Sequence, residues 1–326
     1  MNQPKTNTIG ILTSGGDAPG MNSCIRAAVR TASFHNARVI GISNGYEGLI
    51  NGEFRQLGPR DVGGILQRGG TILQTRRSLR FKEPKGQREA IRKLNEAMMD
   101  GLIVIGGDGS LSGAHALAEQ GIKVLGVPAS IDNDIWGTSM AIGVDTALNT
   151  IMEAVDKLRD TASSHARAFL VETMGRGSGY LAMMAGIVCG AEMVLVPEVQ
   201  ITIDDVADAV EDAYRRGKTH AIIVVAEGAN IRAADLARML EEMDVGFSTR
   251  VTILGHIQRG GTPTAFDRML AARMGARAVE ALIEGQSDVM TALQGRTIDL
   301  IPLAEVIANK RPADLEYYHM ARMLAR

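Results

Sequence analysis

Short apolar runs alternate along this chain with longer stretches at helical spacing, and most of the runs end in glycine. Thr8–Thr13 reads as a first strand, the loop Ser14–Gly20 follows it, and Met21–Phe34 has helical periodicity. Arg38–Ile42 is a second strand, ending at Asn44-Gly45-Tyr46. Leu102–Ile105, the most apolar strand of the first half, runs into Gly106-Gly107-Asp108-Gly109-Ser110, and a helix is expected from Leu111 to Glu119. Val124–Val127 is a further buried strand and leads to Pro128-Ala129-Ser130-Ile131-Asp132-Asn133-Asp134. The second half repeats the alternation. A helix is expected at Gly143–Arg159, a strand at Ala168–Glu172, and a turn at Met174–Gly179 with a helix after it to about Cys189. Strand Met193–Val196, helix Ile203–Arg216 and strand Ala221–Ala226 follow, the last ending in Glu227-Gly228. Helix Ala233–Met243, strand Arg250–Leu254, turn Gly255–Gly261 and a helix from Phe266 to about Ile283 complete the pattern. Arg76–Lys85 is charge-rich without periodicity, and Gly285–Arg326 has no clear pattern.

Strands alternating with helices call for parallel sheets covered on both faces. The apolar strands are too many for one small sheet, so the expected fold is α/β, two similar three-layer domains with mainly parallel sheets. No Pro/Ser linker marks a boundary; the crossing is expected near 135–145. The expected division is 1–140 plus about 256–305 against 141–255 plus about 306–326.

The chain has 326 residues, 35 basic and 37 acidic, for a net charge of −2. That balance gives no electrostatic case for nucleic acid or a membrane surface as partner. Met1–Thr8 is polar, without an apolar signal core, and no apolar run reaches spanning length. Cys24 and Cys189 lie far apart with no metal-type spacing, so a reduced, cytoplasmic setting is the simplest. Trp136, the cysteines and the methionines read as packing residues.

The polar residues at the strand ends change the picture. A strand, a glycine turn and a helix make a phosphate cradle from backbone N–H groups and helix-end potential. The turns are neither the dinucleotide fingerprint nor the Walker pattern. Asp108, among glycines at a strand end, can hold Mg²⁺, although an N-cap turn also accounts for it. Asp132 and Asp134, one residue apart with the Ser130 hydroxyl beside them, can supply a base and its partner; a plain turn rich in Asp and Asn is the alternative. Arg77, Arg167, Arg176, Arg250, His256 and Arg259 can bind phosphate. Metal, cations and a carboxylate to take a hydroxyl proton are the tools of phosphoryl transfer.

Five stretches together carry a resemblance: Thr13-Ser14-Gly15-Gly16-Asp17-Ala18-Pro19-Gly20-Met21-Asn22, Ile105–Ser110, Ile131–Asp134, Met174-Gly175-Arg176 and Gly255–Gly261. In order and spacing they resemble the bacterial 6-phosphofructokinases, from about residue 8 to about 312. The resemblance implies an active site in the cleft between the domains, the first binding nucleotide and the second sugar phosphate. Gly16, Tyr46, Arg77, Ser78 and Gly107-Asp108-Gly109-Ser110 would bind ATP, with Asp108 on Mg²⁺. Asp132 would take the proton from the 1-hydroxyl of fructose 6-phosphate, flanked by Ser130 and Asp134. Arg176, with Arg77 and Gly16, would serve the transferring phosphoryl group. Met174, Gly175, Glu227, His256 and Arg259 would hold the sugar phosphate, and Arg167 and Arg250 would reach it from a neighbouring subunit. The protein would thus be a homo-oligomer, usually a tetramer. Glycine at 109, where pyrophosphate-using relatives carry Asp, and Ala129, where they carry lysine, favour ATP as donor.

Two departures stand out. Many members have a glycine and an aromatic where this chain has Gln74 and Ser78. Arg26, Arg30, Arg159, Glu192, Arg216 and Lys218 fit positions for an ADP or phosphoenolpyruvate effector, but Pro59 replaces an expected arginine, with Arg60 one place off, and Gly63-Gly64 replace polar residues. Three other readings compete: a pyrophosphate-dependent enzyme, a catalytically silent regulatory subunit, and a dinucleotide-dependent oxidoreductase. The silent subunit would be expected to lack Asp108, Asp132 or Arg176, and the oxidoreductase lacks its fingerprint.

Overall fold

In a computed structural model of the chain, residues 7–165, 167–243, 245–311 and 314–325 are described. The polar segment Met1–Thr6 of the sequence reading lies outside them. Two compact units separate: Met1–Ser130, Asp134–Asp145 and Arg259–Arg311 form one, and Ile131–Asn133, Thr146–Gln258 and Pro312–Arg326 the other. The chain therefore changes unit at 145/146, 258/259 and 311/312, where the sequence reading set 140/141, about 256 and about 305, and the second unit also takes the short stretch 131–133.

The first unit is built on a seven-stranded sheet. Its strands are β1 (Thr8–Ser14), β2 (Arg38–Ile42), β3 (Phe54–Leu57), β4 (Gly101–Gly106), β5 (Val124–Pro128), β10 (Val289–Gln294) and β11 (Thr297–Pro302). The order is β11-β10-β5-β4-β1-β2-β3, parallel except at the two edges, where β3 and β11 run antiparallel to their neighbours. Every residue of β1, β4 and β5 is buried. Cover on both faces is the physical reason these strands read as unbroken apolar runs. The cover comes from α1 (Met21–Phe34), α2 (Gly45–Asn51), α3 (Pro84–Glu96), α4 (Asp108–Ala118), α9 (Ala265–Ile283) and α10 (Leu303–Ala308).

The second unit holds a wholly parallel four-stranded sheet, in the order β7 (Met193–Leu195), β8 (Ala221–Ala226), β6 (Arg167–Thr173), β9 (Ser248–Ile253). Its helices are α5 (Val144–His165), α6 (Tyr180–Val188), α7 (Ile203–Arg215), α8 (Ala233–Met243) and α11 (Leu315–Leu324). A capping box starts α7: the Thr202 hydroxyl accepts from the Asp205 amide, and the Asp205 carboxylate accepts from the Thr202 amide.

Several elements depart from the sequence reading. Helix α4 begins at Asp108, three residues ahead of the expected Leu111, so the acid and both following residues lie in its first turn. Helix α5 runs on past Arg159 to His165. The unpatterned tail contains a hairpin, β10–β11, and two helices. The charged run Arg76–Lys85 leads through a 3-10 turn at Arg80–Lys82 into α3, which the reading omitted. Pro84 at the start of that helix and the buried Ala90 and Leu94 were available signals, outweighed by the surrounding charge. Burial pushes the Cys24 thiol up to about 12 and the Cys189 thiol up to about 11, so neither is a thiolate near neutral pH.

Candidate active site

The first unit gathers the glycine turns at the ends of β1 and β4. Asp108 sits in the first turn of α4, behind Gly107 in extended backbone. A carboxylate there complements the positive helix end, and the same end offers amides to an anion. A Cβ placed on Gly109 would meet nothing within 4 Å, so packing does not demand glycine at this position. Tyr46 is buried, with its ring stacked on Phe81 at 3.9 Å, and its hydroxyl donates to the Ser110 carbonyl at 2.6 Å. Burial holds that phenol protonated, well above its usual range. The side chain placed on ATP by resemblance is thus engaged in fixing the first turn of α4.

The turn after β1 is held by hydroxyls. Thr75 Oγ1 donates to the Gly15 carbonyl at 2.7 Å, and Thr13 Oγ1 donates to the Gln74 carbonyl at 2.8 Å. Gln74 has φ of 59°, the left-handed region that glycine adopts most readily. Arg259, largely buried, lies over Gly16 and donates from Nη1 to the Asp17 carbonyl at 3.1 Å. It clusters with the first unit, whereas the resemblance grouped it with the sugar-phosphate residues. Ser78 donates to Glu47 at 2.6 Å, and Arg80 pairs with the same carboxylate at 2.9 Å. The Ser78 hydroxyl, then Arg80, hold the Glu47 carboxyl below the usual range. Arg77 is exposed beside this network.

Beyond β5, Ala129 bridges to Ile142, and the Ser130 amide donates to the Ile142 carbonyl at 3.1 Å. Asn133 is left-handed (φ 49°), turning the chain between the two aspartates. Asp132 clusters with the second unit and is 3% exposed; Asp134 clusters with the first and is half-buried. Within the second unit the Asp132 carboxylate lies 3.5 Å from Arg176 Nε, whose side chain is 57% exposed. A shielded carboxylate and an open cation therefore stand side by side. Met174 and Gly175 are buried next to Arg176, and the Glu227 carboxylate accepts from the amides of Gly175 and Arg176. Arg167 opens β6, half-buried. Arg250 on β9 is exposed and donates to the Thr249 carbonyl, and His256 is exposed in the 3-10 turn Gly255–Arg259.

Of the six effector-type residues, Arg26 and Arg30 lie on α1 in the first unit and the other four in the second. Arg159 donates to the Cys189 carbonyl. Glu192 accepts from Lys218 at 3.0 Å and from the Ile222 amide. Arg216 pairs with Asp212 at 2.9 Å. Glu192 and Arg216 also line a cavity of about 750 Å³ between α7 and α11.

Sequence reasoning gave no role to Glu198 and Gln258, which accept from the Gly179 and Met174 amides, to Thr75, which bonds the turn after β1, or to Glu47, which holds Ser78. Gln258 stood inside a recognised stretch; the others carried no local signal. Among the described residues no group of three or more His, Cys, Asp or Glu side chains can hold a metal ion. Asp108 brings one carboxylate to the start of α4, a donor suited to a cation whose remaining ligands are phosphate oxygens.

Known proteins are similar to this chain in sequence and in fold. A family model described as Phosphofructokinase matches residues 8–282. An "ATP-dependent 6-phosphofructokinase" of Thermotoga neapolitana is 53% identical over 97% of this chain and 99% of its own length. One of Brevibacillus brevis is 50% identical over 97% and 99%. A Pichia pastoris phosphofructokinase in the T-state superposes with a TM-score of 0.89 at 37% identity, over 94% of this chain and 36% of that longer one. A pyrophosphate-dependent phosphofructokinase of Marinobacter aquaeolei shares the fold, with a TM-score of 0.87 at 19% identity. Matched by the family model over residues 8–282 and by relatives along almost its whole length, this protein belongs to the phosphofructokinase family.

Proposed function

We propose that this chain transfers the γ-phosphoryl group of ATP to the 1-hydroxyl of fructose 6-phosphate, giving fructose 1,6-bisphosphate and ADP. The observation that carries the reading is the buried Asp132 carboxylate 3.5 Å from the exposed Arg176 guanidinium. Asp132 takes the proton as the sugar oxygen bonds to the γ-phosphorus and the bond to the β–γ bridging oxygen breaks. Arg176 stabilises the charge spread over the transferring oxygens, with Arg77 as the second cation. Asp108 would hold Mg²⁺ together with the nucleotide's phosphate oxygens, and the ion supplies charge neutralisation there.

The first unit is the nucleotide side, using the α4 helix end, Gly107, Gly109 and Ser110 with the Gly16 turn. The second unit carries the base and Arg176, and Met174 and His256 hold the sugar phosphate beside Ser130 and Asp134. Glycine at 109 leaves room for a nucleotide, and buried Ala129 supplies no cation for a shorter donor, which favours ATP over pyrophosphate. Arg167 and Arg250 act on a neighbouring subunit's sugar phosphate, so the active form is a homo-oligomer, a tetramer in this reading. The effector set takes ADP or phosphoenolpyruvate weakly, for want of an arginine at Pro59. Saturation curves for fructose 6-phosphate with each effector test this, and no shift with either would refute it. The cytoplasm is the setting that two buried free thiols suit.

A coupled assay with fructose 6-phosphate and Mg²⁺, run with ATP and with pyrophosphate, tests the main reading. Turnover with ATP alone is expected. Turnover with pyrophosphate would overturn the donor assignment, and none with either would leave a silent regulatory subunit.

A further inference from the structure

Arg176 carries the cation of the reaction on a backbone that L-residues avoid. Its φ is 53°, and that of Gly175 before it is 143°. A left-handed non-glycine residue is unfavourable and persists only where its surroundings over-determine it. Here they do. The Met174 amide donates to Gln258 Oε1 at 3.2 Å, and the Gly175 and Arg176 amides donate to Glu227 Oε1 at 3.2 and 2.7 Å. The Ser178 amide closes the turn on the Gly175 carbonyl at 2.9 Å, and the Gly179 amide donates to Glu198 Oε1 at 2.7 Å.

The side-chain acceptors come from three separate places: the end of β8, the 3-10 turn after β9, and the loop after β7. Gln258 is itself fixed, fully buried and donating from Nε2 to the Gly255 carbonyl at 3.0 Å. The backbone is packed as closely as it is bonded. A Cβ on Gly228 would lie 2.0 Å from the Arg176 carbonyl oxygen. Since the Arg176 side chain is 57% exposed, its own packing restrains it little, and the backbone beneath it sets where the guanidinium starts from.

We propose that Glu227, with Gln258 and Glu198, is a positioning residue for the phosphoryl transfer. It acts through Arg176 by holding the left-handed turn that aims the guanidinium at Asp132. The inference rests on the proposed function for its catalytic consequence and on the turn's geometry for the clamp itself.

Four single variants and one double variant test it. Glu227→Gln keeps an acceptor oxygen for both amides, and Glu227→Ala removes it. In the free protein, hydrogen exchange across 174–179 should quicken by about tenfold or more in Glu227→Ala and stay near wild type in Glu227→Gln. In turnover, kcat of Glu227→Ala should fall by about 10–100-fold, the scale for a misplaced catalytic group, separately from any rise in KM for fructose 6-phosphate through the sugar contact that the resemblance gives Glu227. Glu227→Gln should restore most of that kcat. Adding Glu227→Ala to Arg176→Ala should lower kcat no further, because the group acted on is already gone. Gly228→Ala keeps the carboxylate but pushes on the Arg176 carbonyl, so it should reproduce the kcat loss even if Glu227→Ala does not fold.

Equal losses in the Gln and Ala variants, with exchange unchanged in both, would mean that the glutamate acts by its charge on substrate. A multiplicative loss in the double variant would equally overturn the positioning role. Wild-type protein without turnover on ATP and fructose 6-phosphate would instead sink the functional reading, and the exchange experiment would still decide whether the clamp exists.

Discussion

The turn at the start of α4 and the turn that carries Arg176 do different work with different materials. The first, Gly107–Ser110, presents backbone: its chemistry is amides at a helix end, and one tyrosine hydroxyl under the Ser110 carbonyl steadies it. The second presents a side chain, and four of its amides are bonded by Glu227, Gln258 and Glu198. A polyphosphate can be met by amides that every helix end already has. A single guanidinium must instead be aimed, so its backbone is forced into an unfavourable region and held there from several sides. A backbone site can thus be written in a few local residues, whereas an aimed cation draws on residues far away in sequence.

Four changes would break or sharpen this contrast. The largest effect is expected on the acceptor side from Asp132→Ser. Its kcat should drop by about a thousandfold, within the range for a lost general base, while fructose 6-phosphate still binds. Near-normal turnover in that variant would refute the role. On the donor side, Gly109→Asp should lower kcat/KM for ATP by about 100-fold, equivalent to about 2.7 kcal/mol of repulsion against the nucleotide. Thermal stability should barely move, because a Cβ there meets nothing within 4 Å. A large fall in Tm would show that the glycine serves the fold.

Tyr46→Phe should be milder. It removes the bond to the Ser110 carbonyl and keeps the stacking on Phe81, for a loss of about 1 kcal/mol and a Tm a few degrees lower. KM for ATP should rise while that for the sugar phosphate stays put; an effect on both substrates would argue against a local role. The smallest change concerns acid stability. Glu47 has a lowered pKa in the folded state, through Ser78 first and Arg80 after it, so its contribution is present above the unfolded carboxyl pKa and is lost as pH falls through the folded one. Glu47→Gln should therefore flatten the fall in stability below about pH 4. An acid limb as steep as in the wild type would show that the network carries no such linkage.

Much of this is legible in the sequence. The boundaries of α1, β2, β8 and α8 follow the apolar pattern to the residue, because each buries a regular face or both faces of a strand. The glycine turns and their acids were legible for the same reason, as local signals at strand ends. What stayed hidden was non-local or masked. Helix α3 was obscured by its charge, β3 by its brevity, and the C-terminal hairpin by the lack of a strong alternation. Tyr46 could be placed near the nucleotide turn from sequence, but not assigned to the Ser110 carbonyl 64 positions away.

The sequence by itself determined the α/β class, the places where strands hand over to glycine turns, and the kinds of group gathered there, since these depend on period and residue type within a few positions. Only the tertiary structure decided that Arg176 stands in a left-handed turn beside Asp132, and that Glu227, Gln258 and Glu198 hold the turn. Those contacts join β8 and the loops after β7 and β9 to one turn, and hydrogen bonds made across such separations leave no trace in the local spacing of residues.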